Sequence, residues 1–187
     1  MKVLASSLDG VCIIEPAVYA DARGFFTETY NMERYREAGF SQPFVQDNLS
    51  FSIRGTLRGL HYQHPHDQAK LVMVIKGEIY DVAVDIRRGS PRFGRWVGVR
   101  LSEDNKRQVY IPEGFAHGFC VLSETAIMTY KCSDLYHPDS EGGLIWNDPD
   151  LDIHWPVKDP LISDKDQRYA CLKDLPEDRL PGFEGAK

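Results

Sequence analysis

The segment "RGLHYQHPHDQAK", residues 58–70, places His61, His64 and His66 close together and ends on Lys70. Imidazoles so spaced suit two kinds of chemistry: they can ligate a divalent cation, or one of them can act as a general base. The lysine bears on the choice. An ammonium group has no lone pair to give a metal, and it puts a positive charge where the ion would sit. The same charge beside a basic imidazole could stabilise an anion formed by proton removal. Strand alternation puts Leu57, Gly59, His61 and Gln63 on one face, so His61 belongs to a regular element. A single histidine there is ordinarily structural and becomes a candidate base only with a carboxylate beside it. His64 and His66 flank Pro65 and precede Asp67 and Gln68, which is loop composition, and both are expected to be solvated.

The elements that must hold these groups are mostly strands. "KLVMVIKGEIYDVAVDIR" reads as two strands about a Lys76-Gly77 turn. The first is apolar on both faces, as a strand between two layers would be. In the second, Asp81, Ala83 and Asp85 alternate with Val82, Val84 and Ile86. "GRWVGVRL", "RQVYIPEGF", "HGFCVLS" and "AIMTYKCS" continue at close spacing, which argues for an antiparallel sandwich or barrel. Helical signals are few. "NMERYREAGF" has Asn31 to cap and Gly39 to terminate, and a second short helix is expected within "SDKDQRYACLKDL".

The 187 residues, 42% of them apolar, suit one domain over 1–187 with a packed core. The net charge of −6, with no basic block, argues against nucleic acid or an anionic membrane as partner, though not against a small anionic ligand. No apolar run approaches the roughly 18 residues of a bilayer span, and "MKVLASSLDG" lacks a signal-peptide core, so a cytoplasmic location is expected. Cys12, Cys120, Cys132 and Cys171 are scattered without a C-x-x-C and read as buried thiols rather than disulfides or zinc ligands. There is no Gly-rich strand-to-helix turn for a dinucleotide.

Two resemblances sharpen the picture. The frame of the bipartite cupin metal motif is present in His64, His66 and Gly77, and in Pro112, Gly114 and His117. However, Lys70 stands at its acidic position and Val121 at its asparagine, so the scaffold is implied without the metal. Second, "DARGFFTETY", "FVQDNLSFSIRGTLRGLHYQ", "QAKLVMVIKGEIYDVAVDIRRGSPRFGRW", "NKRQVYIPEGFAHGF", "YKCSDLYHPDSEGGLIWNDPDLDIHWP" and "ISDKD" together resemble the dTDP-4-dehydrorhamnose 3,5-epimerases over residues 8–167. The resemblance implies a mainly β, jelly-roll (double-stranded β-helix) cupin-like barrel with a few short helices. It also implies a homodimer using the N-terminal segment of residues 1–50, a dTDP-sugar substrate, and no redox cofactor or metal.

That family's substrate is a 4-keto sugar whose C3–H and C5–H bonds are acidified by the ketone. By resemblance, His61 is the base, Asp166 its carboxylate partner, Lys70 the cation at the C4 oxygen and Tyr130 the acid on the opposite face. Asp164 is the alternative partner and should be exposed if Asp166 is correct. Substrate-binding positions carried over are Arg23, Phe26, Glu28, Gln46, Asn48, Arg58, His117, Tyr136, Glu141 and Lys165. Arg23, Phe26 and Glu28 are implied to reach the nucleotide partly across the dimer interface, whereas the plain reading of "DARGFF" is a turn at Asp21–Gly24 leading into an edge strand. Arg58 and His61 have opposite strand parity, so a bulge or turn near Gly59 is required for both to face a ligand. Three functions remain distinct at this point: the 3,5-epimerase or a relative acting at one carbon, a metal-dependent cupin, and a silent nucleotide-sugar binding module.

Overall fold

The computed structural model describes residues 1–183. Along the chain run β1 (Lys2–Ala5), β2 (Cys12–Glu15), β3 (Val18–Asp21), β4 (Gly24–Thr27), α1 (Met32–Glu37), β5 (Gln46–Ile53), β6 (Leu57–Gln63) and β7 (Lys70–Lys76). They are followed by β8 (Glu78–Asp85), β9 (Trp96–Ser102), β10 (Gln108–Ile111), β11 (Phe115–Val121), β12 (Thr125–Cys132) and β13 (Glu141–Gly143). Two antiparallel sheets result, in the orders β1-β2-β10-β7-β12-β5 and β13-β6-β11-β8-β9, with β3 and β4 forming a separate hairpin.

The sheets lie face to face. Val72, Val74, Val109 and Met128 of the first meet Ile79, Val99, Leu101 and Phe119 of the second in a common core. Each such side chain taken from water contributes about 1.5–3 kcal/mol. Each outer face is covered in part as well. Tyr35 of α1 and Phe40 pack on Ile14 and Leu71, which accounts for the two apolar faces of β7. The C-terminal segment lays Leu144, Leu151, Leu172 and Leu180 over Val82, Val84 and Ile86. Helix α1 begins as its sequence predicts, with Asn31 Oδ1 accepting from the backbone N–H groups of Glu33 and Arg34 at 3.1 and 3.2 Å.

Three sequence expectations change. The Lys76-Gly77 turn does not close a hairpin, because β7 and β8 belong to different sheets. Gly77, at φ +80°, instead passes the chain from one layer to the other, where a Cβ would run into the Thr125 carbonyl. In β8 the alternation does not separate core from solvent, since the C-terminal layer buries one set and the facing sheet the other. Asp81 and Asp85 are therefore buried carboxylates, 2% and 0% exposed. The expected C-terminal helix is two short 3₁₀ turns, Asp166–Arg168 and Leu172–Asp174. Leu172 N–H donates to Asp148 Oδ2 at 2.7 Å, which anchors an extended path across the sheet instead of a helical one. Among the described residues no helix is long and apolar enough to cross a membrane.

Candidate active site

The geometry of the site starts from a bulge. His61 pairs with His117, while Arg58 pairs with Phe119, so β6 spends one residue more than β11 over the same span. The extra residue is accommodated at Gly59, whose φ is +109° and where a Cβ would come within 2.6 Å of both Gly118 Cα and the His117 carbonyl. Only glycine fits. The bulge meets the parity requirement, and Arg58 and His61 line one cleft together with Ser163, Lys165 and Asp166.

His61 Nε2 lies 2.8 Å from Asp166 Oδ1, across more than a hundred residues of chain. Asp166 is 3% exposed, and its other oxygen accepts the Gly59 N–H at 3.1 Å, so the bulge residue also orients the carboxylate. Burial alone would raise its pKa. The hydrogen bond and charge of His61, with Gly59 and Ser163, outweigh burial and hold it below the usual carboxylate value. An ionised carboxylate only accepts, so Nε2 of His61 carries the donated proton and Nδ1 keeps the basic lone pair. Asp164 is exposed, as expected if Asp166 is the partner.

His61 also lines a second cavity of about 320 Å³ between the sheets, with Gln46, Asn48, Lys70, Tyr130 and Tyr136. Strand register explains the grouping. Val72 opposes Tyr130 and Lys70 opposes Cys132, while Asn48 and Gln46 oppose the same two residues from β5. All therefore point to the side on which Val72 enters the core. Burial pushes the Lys70 ammonium below its ordinary pKa, against the opposing pull of Cys132, Asp81 and Glu141. Burial pushes the Tyr130 phenol up, so it remains protonated and able to donate at neutral pH. At the mouth, Tyr136 Oη donates to Glu141 Oε2 at 3.2 Å, and Lys165 Nζ to Glu141 Oε1 at 2.7 Å. An oriented base, a desolvated cation and a protonated phenol around one cavity can remove a proton, hold the resulting anion and return a proton.

The chain as a whole is similar to known proteins. The family model described as dTDP-4-dehydrorhamnose 3,5-epimerase matches residues 5–174. The dTDP-4-dehydrorhamnose 3,5-epimerase of Methanothermobacter thermautotrophicus is 53% identical over 178 residues, 94% of this chain and 96% of that protein. The crystal structure of the Legionella pneumophila dTDP-6-deoxy-D-glucose-3,5-epimerase, in complex with dTDP-4-keto-L-rhamnose, superimposes with a TM-score of 0.96. It is 50% identical, covering 98% of this chain and 99% of that one. The chain belongs to the dTDP-4-dehydrorhamnose 3,5-epimerase family. As a member, it is a carbohydrate epimerase of dTDP-rhamnose biosynthesis with the cupin-type fold that its two sheets display.

Within this epimerase the expected residues divide into three groups. His61, Asp166, Lys70 and Tyr130 converge, with Gln46, Asn48, Tyr136, Arg58, Lys165 and Glu141 around them. His117 is buried behind this shell, its Nε2 2.8 Å from Asp81 Oδ2. Arg23, Phe26 and Glu28 lie elsewhere in the single chain. Arg23 is paired with Asp21 at 2.6 Å at the tip of the exposed β3–β4 hairpin, Phe26 is 68% exposed, and Glu28 holds Arg34 at 2.9 Å. Asp81, Gln68 and Cys132 lie near the site without having been expected there, whereas Gln63 lines the cavity on the face it shares with His61. Asp81 was detectable as a charge inside an apolar run, and Gln68 and Cys132 carry no signal apart from strand register. His64 is only partly solvated, because its Nδ1 lies 2.9 Å from Asp67.

Proposed function

We propose that His61 abstracts the C3 and C5 protons of dTDP-4-keto-6-deoxyglucose, with Asp166 fixing its tautomer and stabilising the imidazolium. Lys70 holds the C4 oxygen as it becomes an enolate, and Tyr130 returns a proton from the other face. The observation that carries this reading is the 2.8 Å His61–Asp166 contact opening on a cavity lined by Lys70 and Tyr130. Arg58 and Lys165 supply cations for the diphosphate, and Gln46 and Asn48 supply amides for the nucleotide or sugar. Removing the cation should be costly. Lys70→Met keeps the stem but not the charge, and kcat is expected to fall roughly 10²- to 10³-fold. A fall of less than about tenfold would remove Lys70 from the enolate role.

The test is incubation with dTDP-4-keto-6-deoxyglucose in deuterated water, following C3 and C5 by NMR. Deuterium is expected at both carbons, with inversion at both. A relative from Streptomyces niveus, 43% identical over 176 residues, is a dTDP-4-dehydrorhamnose 3-epimerase, which gives the alternative a concrete form. Exchange at C3 alone would establish that alternative, and exchange at neither would reject the reaction. In the same experiment Tyr130→Phe should impair inversion much more than exchange. Equal losses would show that the phenol is not the acid.

We also propose that the working unit is a homodimer in the cytoplasm. β5 is an edge strand with Leu49, Phe51 and Ile53 exposed at 71%, 57% and 51%. Phe25 and Phe26 are exposed on the β3–β4 hairpin, and apolar surface of this extent ordinarily marks an interface. Pairing across β5 would also give Arg23, Phe26 and Glu28 a route to a partner's cavity. Sedimentation should give the mass of two chains, and a monomer at working concentration would contradict it. All four thiols, Cys12, Cys120, Cys132 and Cys171, are free, consistent with a reducing compartment.

A further inference from the structure

Two histidines outside the proposed chemistry meet at the rim of the cavity. His66, from the loop after β6, stacks on His137, from the loop after β12, with ring centroids 3.8 Å apart and planes at 13°. Asp134 lies beneath both: its carboxylate oxygens are 3.4 Å from His66 Nδ1 and 3.9 Å from His137 Nε2. One donor atom from each residue falls within a 4.8 Å set. Bonds of about 2.0–2.1 Å in a tetrahedral site put neighbouring ligand atoms about 3.3 Å apart and require the ion to lie in the plane of each imidazole, so one ring must swing out of the stack about its side-chain torsions when the site fills.

The backbone beneath the set is held in place. Buried Gln63 donates from Nε2 to the carbonyls of His66 and Leu135, at 2.8 and 3.2 Å, and its Oε1 accepts the His137 N–H at 2.8 Å. Gln68 Nε2 donates to the Asp134 carbonyl at 2.8 Å. One buried amide thus ties both loops together, and a second anchors Asp134. Preorganisation of this kind lowers the ordering cost of binding.

We propose that His66, Asp134 and His137 form a binding site for a divalent transition ion of the zinc class, with two imidazoles and one carboxylate leaving a fourth position for water. The ion is not a catalyst. Joining Asp134 to His137 closes a ring across Leu135 and Tyr136, and Tyr136 both lines the cavity and donates its N–H to Gln46 at 2.9 Å. Occupancy therefore clamps the rim of the cavity and slows passage of the sugar nucleotide, a consequence that rests on the epimerase reading.

Calorimetric titration of the untagged protein with Zn²⁺, and of a parallel sample with Co²⁺ followed in the visible, needs no substrate. One ion per chain is expected, with the absorption of a low-coordinate cobalt centre. His66→Gly, which suits the φ of +71° at that position, and His137→Ala should each weaken binding by at least about tenfold. Absence of binding, or undiminished binding in both variants, would overturn the site. Zinc should also slow turnover of the unaltered enzyme and leave His137→Ala unaffected. Equal slowing of both would overturn the clamp while leaving the epimerase assignment intact.

Discussion

His61→Ala is expected to abolish solvent deuterium incorporation at both C3 and C5 and to lower kcat roughly 10²- to 10⁴-fold, the usual range for loss of a general base. The side chain is partly exposed, at 31%, and its ring meets Tyr169 edge-on at 5.9 Å, so its removal costs local contacts and leaves the apolar core between the sheets intact. Binding of dTDP, measured by calorimetry, should be nearly unchanged, because the proposed role sets the imidazole against the sugar carbons and not against the diphosphate. The combination matters: lost exchange with retained binding identifies a base, and lost binding would point to a positioning role. Normal exchange at either carbon would mean that a different group removes that proton. A single base serving both centres also predicts that the two exchange rates fall together.

Asp166→Asn should have an effect as large with almost no change in shape. The carboxylate accepts two N–H groups, from Gly59 at 3.1 Å and from His61 at 2.8 Å. An amide can accept only one of them at its oxygen. The Gly59 N–H cannot change its role, so the amide oxygen must face Gly59 and the amide N–H₂ must face His61. His61 Nε2 then has to accept, which moves its proton to Nδ1 and removes the basic lone pair from that nitrogen. The comparable substitution in serine-protease triads costs about 10⁴ in kcat with the geometry intact, and a loss of that order is expected here. Substrate binding should change little. A variant with more than about a tenth of normal kcat would show that the carboxylate does not set the tautomer.

Much of this site was legible in the chain because its parts lie in short, dense segments. "RGLHYQ" and "QAK" place His61 and Lys70 nine residues apart, with Lys70 where a metal-binding cupin would have its acid. Strand parity called for a bulge or turn near Gly59 if Arg58 and His61, both ligand positions by resemblance, were to share a face, since side chains alternate along a strand. Asn31 capped its helix as the sequence predicts because capping is a local hydrogen bond, satisfied within three residues.

What tertiary structure decided were matters of layering and long-range proximity. Alternation in β8 shows that its two faces differ but not what covers each. Only the packed C-terminal segment explains why Val82 and Val84 are covered, while Asp81 faces inward to His117. The chain also could not show that Asp134 and His137 come up beside His66, because loop contacts follow from how two sheets stack and not from any local periodicity. The sequence by itself determined which groups could do the chemistry: an imidazole, a carboxylate, an ammonium and a phenol in recognisable segments. The sandwich decided which nitrogen of His61 is basic, because only the folded chain brings a buried carboxylate from residue 166 within 2.8 Å of it.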